Sequence, residues 1–227
     1  MRILSGIQPS GKLHLGNYFG AMKQHLEDQE RHECYIFIAN YHALTTIQDA
    51  ARLRACTLDV ALDYLALGFD PKKACFFRQS DVPEVTELAW ILSTVTGKGL
   101  LERAVSYKDK TARGLPASMG LFSYPILQAA DILIYRSNAV PVGKDQVQHI
   151  EMTADMAGYF HNTYKCDVFV IPKAQLNEAV ADYYGSSRIE RDKSGKLVIH
   201  PGELQTDRVL TVQQAIKAGA GGAPKTG

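Results

Sequence analysis

From Arg2 to about Ile171, short runs of apolar residues alternate with longer stretches in which apolar side chains return every three or four positions. Runs of this length predict strands, here at Ile3–Ser5, Tyr35–Ala39, Cys75–Arg78, Val140–Val142 and Val168–Ile171. The longer stretches predict helices. Between Gln48 and Gly68 the residues Leu53, Cys56, Val60 and Leu67 fall near one helical face, and Gly68 is a stop signal. Alternation of this kind predicts an α/β fold in which parallel strands are joined by crossover helices.

The pattern changes after Val180. Asp182–Ser187 reads as a loop, and Arg191–Lys196 as a polar hairpin turn before the β-prone Leu197–Ile199. Leu210–Ala218 predicts a short helix, and the small residues Ala218–Pro224 a flexible end, because they bury too little surface to offset ordering entropy. The expected organisation is a main domain over 1–181 followed by a tail over 182–227.

Composition narrows the picture further. With 227 residues, 46% of them hydrophobic, the chain can bury a full core, and its net charge of +1 neither requires nor excludes a nucleic-acid partner. Cys34, Cys56, Cys75 and Cys166 are scattered without metal-ligand spacing, so neither a disulfide framework nor a zinc site is expected. No basic-then-apolar leader opens the sequence and no run nears membrane-spanning length, so the expectation is a soluble, cytoplasmic protein without a membrane partner.

Three segments carry candidate chemistry. Ser5-Gly6-Ile7-Gln8-Pro9-Ser10-Gly11 brings glycines and a proline between the first strand and a helix opening near His14 and Asn17, where exposed N–H groups favour phosphate. On the second segment Tyr124, Gln128 and Asp131 stand at i, i+4 and i+7, so a phenol, an amide and a carboxylate share one helical face amid apolar neighbours. Such a face suits an amino acid with an aromatic side chain. Pro125 is expected at the first turn of that helix. In the third, Gly143 lets backbone approach a ligand and Asp145 offers an acceptor for a ribose diol, before a helix running through His149 and Met152. Taken one at a time, each segment also fits an ordinary turn or a half-buried helix with satisfied polar groups.

Together they resemble a family. His14-Leu15-Gly16-Asn17, running on through Tyr18-Phe19-Gly20-Ala21, is similar to the first signature of class I aminoacyl-tRNA synthetases in its tryptophanyl form. The resemblance extends through Asn40–Thr45, Gln79–Glu84, Ser106–Lys110, Ala129-Ala130-Asp131-Ile132-Leu133 and Val140–Gln146, covering Arg2 to about Ala181. It implies a Rossmann-like parallel sheet and ATP-dependent activation of L-tryptophan to Trp-AMP, followed by transfer to tRNA(Trp). It also implies ATP with Mg²⁺, contacted by Gln8, Pro9, Ser10, Gly16, Asn17, Gly143, Lys144, Asp145 and Gln146, and catalytic roles for His14, Asn17 and Lys110. Tryptophan would be held by Asp131, accepting from the indole N–H, with Tyr124, Gln128, His42, Gly6 and Val142 around it. Gln79–Glu84 is expected to serve as architecture, and a homodimer is expected through the region Trp90–Leu101.

Two departures accompany the resemblance. Gln128 stands where some members carry methionine and tyrosyl enzymes carry glutamine, which keeps tyrosine open as a substrate. The family's second signature, K-M-S-K-S, does not follow Ala181, and Lys193-Ser194-Gly195-Lys196 reads as a turn instead. Slow adenylation and poor tRNA charging are therefore expected. A degenerate paralogue binding tryptophan or ATP as a sensor, or an adenylating enzyme with a non-tRNA acceptor, stay open as alternatives.

Overall fold

The computed structural model describes residues 1–104, 118–143, 146–176, 188–191 and 197–200. Five strands, β1 (Arg2–Ile7), β2 (Glu33–Ile38), β3 (Cys75–Arg78), β4 (Ala139–Val142) and β5 (Lys173–Leu176), form one parallel sheet in the order β3-β2-β1-β4-β5. The expected Rossmann-like architecture is thus present. The chain passes from β1 outward to β3 and then returns to the other side of β1, so β1 and β4 flank a topological switch point. β1 stays paired with β2 from Arg2–Glu33 through Ile7–Ile38, whereas its pairing with β4 is confined to Ile3 and Ala139. Beyond that pair a crevice opens between β1 and β4.

Helices cover both faces. On one side, Met22, just before α2 (Lys23–Asp28), and Val60 and Tyr64 of α4 (Ala50–Ala66) pack against Ile3, Ile36 and Ile38. On the other, Ile132 and Ile150 from α7 (Met119–Ile134) and α8 (Val147–Tyr164) meet Leu4, Phe37 and Val140. A further cluster joins α5 (Glu84–Val95) and α6 (Lys98–Glu102) to α7 and α8 through Val85, Leu92, Leu101, Ala129 and Met156. Each fully buried aliphatic side chain contributes about 1.5–3 kcal/mol relative to exposure.

Local signals set several boundaries. Asp49 caps α4 by accepting from the Arg52 N–H at 2.6 Å, and Gly68 beyond its end adopts φ +97°, a conformation that a side chain disfavours. The helix expected over Gln48–Gly68 is therefore present.

Two expectations fail. Val168–Ile171 is not a strand; the edge strand is β5, whose Lys173 pairs with Ala139, because parallel pairing with β4 selects the register and apolar character alone does not. Pro125 does not open a helix. Ser118 does so, its hydroxyl accepting from the Leu121 N–H at 3.1 Å, and Pro125 lies buried inside α7. The β-prone Leu197–Ile199 lies in β7 (Leu197–His200), antiparallel to β6 (Arg188–Arg191). Lys193–Lys196, Leu210–Ala218 and Ala218–Pro224 lie outside the described residues.

Beneath the sheet, His25 Nδ1 and the Tyr64 hydroxyl form a fully buried hydrogen bond of 2.7 Å. Burial pushes His25 down from 6.5 to about 4. The unfolded chain therefore takes up a proton below pH 6.5 that the folded chain refuses until about pH 4, so this histidine's neutral burial favours folding above pH 6.5 and loses stability progressively toward pH 4. The loss should reach roughly 3 kcal/mol. Denaturant titrations at pH 7 and pH 4 should show this acid-side loss shrinking in His25→Gln, which has no titratable ring.

Candidate functional site

The first glycine-rich turn ends in a capping box. His14 Nδ1 accepts from the Gly16 N–H at 3.1 Å, and Asn17 Oδ1 accepts from the His14 N–H at 3.0 Å, which opens α1 (Leu15–Asn17). With Nδ1 used as an acceptor, a neutral His14 ring carries its proton on Nε2. Gly16 makes this possible, because a Cβ there would lie 2.9 Å from the imidazole Cε1. α1 runs on into a π-helical turn over Tyr18–Met22 and then α2. Such bulges are frequent at functional sites, and this one contains Gly20 and Ala21, which face the crevice.

The crevice is a cavity of about 400 Å³, within the range of small-molecule sites. β1 and its turn supply Leu4, Ser5, Gly6 and Gln8; β4 and its turn supply Val140, Pro141, Val142, Gly143 and Gln146. α7 contributes Tyr124, Gln128, Asp131 and Ile132, while α3 (Asn40–Ala43) and the residues beside it contribute Ala39, His42 and Thr45. Gly20, Ala21, Gln24 and His25 close the far end. Their i, i+1, i+4, i+5 spacing after the first motif was the available sign, though it reads equally well as ordinary core. Gln8 reaches toward the His42 carbonyl and the Thr46 hydroxyl, each at 3.4 Å.

Asp131 is the one carboxylate among the described lining residues and is only 2% exposed. Burial pushes its carboxyl above the ordinary range, while hydrogen bonds from His42 and Gln79 pull it back. His42 Nε2 lies 2.8 Å from Oδ2, and Gln79 Nε2 is 2.9 Å from both oxygens. Two carboxylate oxygens offer about four acceptor positions in all. Oδ2 is occupied twice and Oδ1 once by described residues, so Oδ1 keeps an acceptor position for a ligand. Tyr124 turns its hydroxyl to His149 Nε2 at 2.7 Å, leaving its ring edge-on to His42.

The sequence-expected residues Gly6, Gln8, His42, Tyr124, Gln128, Asp131, Val142, Gly143 and Gln146 therefore converge on one cavity. Pro9 is buried in the turn, and Ser10, His14 and Gly16 are exposed beside it. Lys110, Lys144 and Asp145 lie outside the described residues. Sequence reading treated Gln79 as architecture; its place against Asp131 appears only in three dimensions.

Residues 1–199 match the family model described as tRNA synthetases class I (W and Y). The tryptophan–tRNA ligase of Campylobacter jejuni strain RM1221 is 54% identical over 194 residues, covering 86% of this chain and 60% of that protein. The ligase of Rhodopirellula baltica matches at 54% over the same length, with 86% and 60% covered. The chain spans about three fifths of these curated relatives. Among solved structures, Campylobacter jejuni tryptophanyl-tRNA synthetase complexed with ADP and tryptophan superposes with a TM-score of 0.76 at 56% identity, covering 78% of this chain and 56% of that one. The Mycoplasma pneumoniae enzyme gives 0.71 at 39% identity, with 77% and 51% covered. A parallel sheet with its crevice at the β1–β4 switch point, a His14 capping box beside it and a family match over residues 1–199 agree, and the chain belongs to the class I tRNA synthetases of the tryptophan and tyrosine group.

Proposed function

We propose that this chain activates L-tryptophan with ATP, forming Trp-AMP and pyrophosphate, and that the aminoacyl group then passes to tRNA(Trp). The observation that carries this reading is Asp131, a buried carboxylate with an acceptor position to spare in a cavity whose lining also includes the apolar Leu4, Phe37, Ile132, Val140 and Val142. Apolar surface beside one anionic acceptor fits an indole, and a phenylalanine side chain would leave that acceptor unpaired. The similar Campylobacter jejuni structure, which binds ADP and tryptophan, supports the same assignment.

In this reading Gly6, Tyr124, Gln128, His42 and Val142 surround the tryptophan with Asp131. Gln8, Pro9, Ser10, Gly16, Asn17 and the segment Gly143–Gln146 take the nucleotide, and Lys110 contacts its phosphates. The tryptophan carboxylate attacks the α-phosphorus in line; one bond to the carboxylate oxygen forms as the bond to pyrophosphate breaks. No protein nucleophile is required, so positioning and charge stabilisation supply the rate. His14, with its proton on Nε2, donates to the triphosphate, and Asn17 holds the backbone that presents it. The described residues contain no cluster of three or more potential metal ligands. In this reading magnesium enters with ATP as part of the substrate.

Tryptophan-dependent exchange between pyrophosphate and ATP tests the proposal, with tyrosine and phenylalanine run beside it. Exchange with tryptophan above the other two is the expected result, and none with any of the three would overturn it. Gln128, which makes no side-chain hydrogen bond among the described residues, is the specific reason for including tyrosine. Replacing His14 by alanine should slow exchange about a hundredfold to a thousandfold, the usual cost of one charge-stabilising donor. Tryptophan affinity, read by calorimetry, should stay unchanged in that variant.

We also assign a homodimer to the face carrying Trp90 and Ile91, 73% and 40% exposed on α5, because apolar surface of this kind calls for cover. No described helix is long and apolar enough to cross a membrane.

A further inference from the structure

Gln79 is buried to 1% exposure in a single 3₁₀ turn (Gln79–Asp81) after β3, and it does not line the cavity. Its side chain nevertheless joins two parts of the site. Oε1 accepts from the backbone N–H of Tyr41 at 3.0 Å and of His42 at 3.3 Å, at the start of α3. Two N–H donors on that atom settle which end of the amide is oxygen. The NH₂ group consequently faces Asp131, within 2.9 Å of both carboxylate oxygens. A second clasp lies alongside: Asn40 Nδ2 donates to Ser80 Oγ at 2.8 Å, and Ser80 N–H donates to Asn40 Oδ1 at 3.1 Å. The loops following β2 and β3 are thereby locked together, so that His42 and Gln79 approach one carboxylate from two elements.

We propose that Gln79 is the positioning residue for amino-acid selection: by tying Asp131 to the backbone of α3, it holds the carboxylate as an acceptor with one position, on Oδ1, open to an indole N–H. This rests on the reading of the site as a tryptophan site. A free carboxylate rotating about its terminal bond would present either oxygen. Contact from Gln79 to both oxygens removes that freedom, and a donor that itself has nowhere else to turn stabilises the carboxylate against the cost of burial. Without it the acceptor turns out of line with the substrate or is lost to protonation, and a substrate N–H gains little over an apolar edge.

Gln79→Glu is the test, because it keeps the shape and the acceptor for the Tyr41 and His42 amides. It replaces only the donor, setting an acceptor oxygen against the Asp131 carboxylate. Gln79→Met serves as the second variant, with the amide removed at similar volume. The full chain and both variants are titrated calorimetrically with tryptophan and with benzothienylalanine, in which sulfur replaces the indole N–H. Tryptophan affinity should fall about tenfold or more in both variants, while benzothienylalanine affinity stays within about threefold of the wild type. Equal losses for both ligands would mean a general structural role and overturn the inference. So would unchanged tryptophan affinity. A wild-type chain that fails to bind tryptophan overturns the proposed function itself, and the inference with it.

Discussion

Asp131→Asn should lower tryptophan affinity on the order of a hundredfold while leaving ATP affinity within about twofold. The substitution is isosteric, so no cavity forms. Its effect follows from donor and acceptor counts. Gln79 Oε1 is committed to the Tyr41 and His42 amides, so the Gln79 NH₂ group must find an acceptor at position 131. An asparagine has one oxygen to give, and its own NH₂ faces either the His42 ring, 2.8 Å away in the native pair, or the cavity. With its oxygen at the Oδ1 place the asparagine keeps only a neutral acceptor position, and with the amide reversed its NH₂ group faces the cavity, so the charged acceptor that would meet an indole N–H is gone either way. The site loses a charged hydrogen bond and not merely a neutral one, which puts the expected effect at the upper end of the usual range. Calorimetric titration with tryptophan and ATP separately reads both affinities. An asparagine variant that binds tryptophan within about threefold of the wild type would remove Asp131 from the recognition role. Asp131→Ala is the poorer choice, since it strands two buried donors and adds a stability loss of about 1–3 kcal/mol for each.

Gly6→Ala should destabilise the chain by about 1–3 kcal/mol and abolish measurable tryptophan binding at concentrations that saturate the wild type. Gly6 occupies the carboxyl end of β1, where a Cβ would lie 2.6 Å from Phe37 Cζ and within 2.9 Å of two further ring atoms. That ring is 6% exposed, stacked on Phe77 at 5.9 Å and itself part of the cavity wall. It cannot yield outward without disturbing the aromatic stack, and yielding the other way fills the space a substrate would take. Both readouts are available from one preparation: a denaturant titration for stability and calorimetry for binding. A variant of full stability with native tryptophan affinity would show that the sheet accommodates the methyl group. Gly11 makes a useful control, because a Cβ there meets nothing within 4 Å. Its alanine variant should match the wild type on both counts.

The two substitutions differ in how far sequence could foresee them. Gly6 sits in a glycine-rich turn and Asp131 on a helical face with Tyr124 and Gln128, and both patterns are local. Spacing of three, four or seven residues translates directly into a shared face, because helical geometry is fixed by the backbone. The cavity accordingly receives Tyr124, Gln128 and Asp131 together, as the spacing implied. The sheet was legible for the same reason. Runs such as Tyr35–Ala39 are apolar because a parallel strand is covered on both faces.

Gln79 shows where local pattern stops. Its contacts with Tyr41, His42 and Asp131 span 38, 37 and 52 residues of chain, and nothing at that range repeats along the sequence. The edge strand failed for a related cause: Val168–Ile171 is as β-prone as any run, yet pairing with Ala139–Val142 starts at Lys173, fixed by where α8 ends and the chain returns to the sheet. Pro125 was misplaced because a hydroxyl on Ser118, outside the recognised motif, caps the helix.

By itself, then, the sequence determined the class of fold, the elements that carry chemistry and several of the residues that line the crevice, Asp131 among them, since these follow from periodicity and residue type. Only the tertiary structure decided which oxygen of Asp131 is left open, which nitrogen of His14 carries its proton and what holds the carboxylate in place. Those are outcomes of hydrogen-bond saturation, and a donor or acceptor is spent or spare only once every neighbour brought by the fold has been counted.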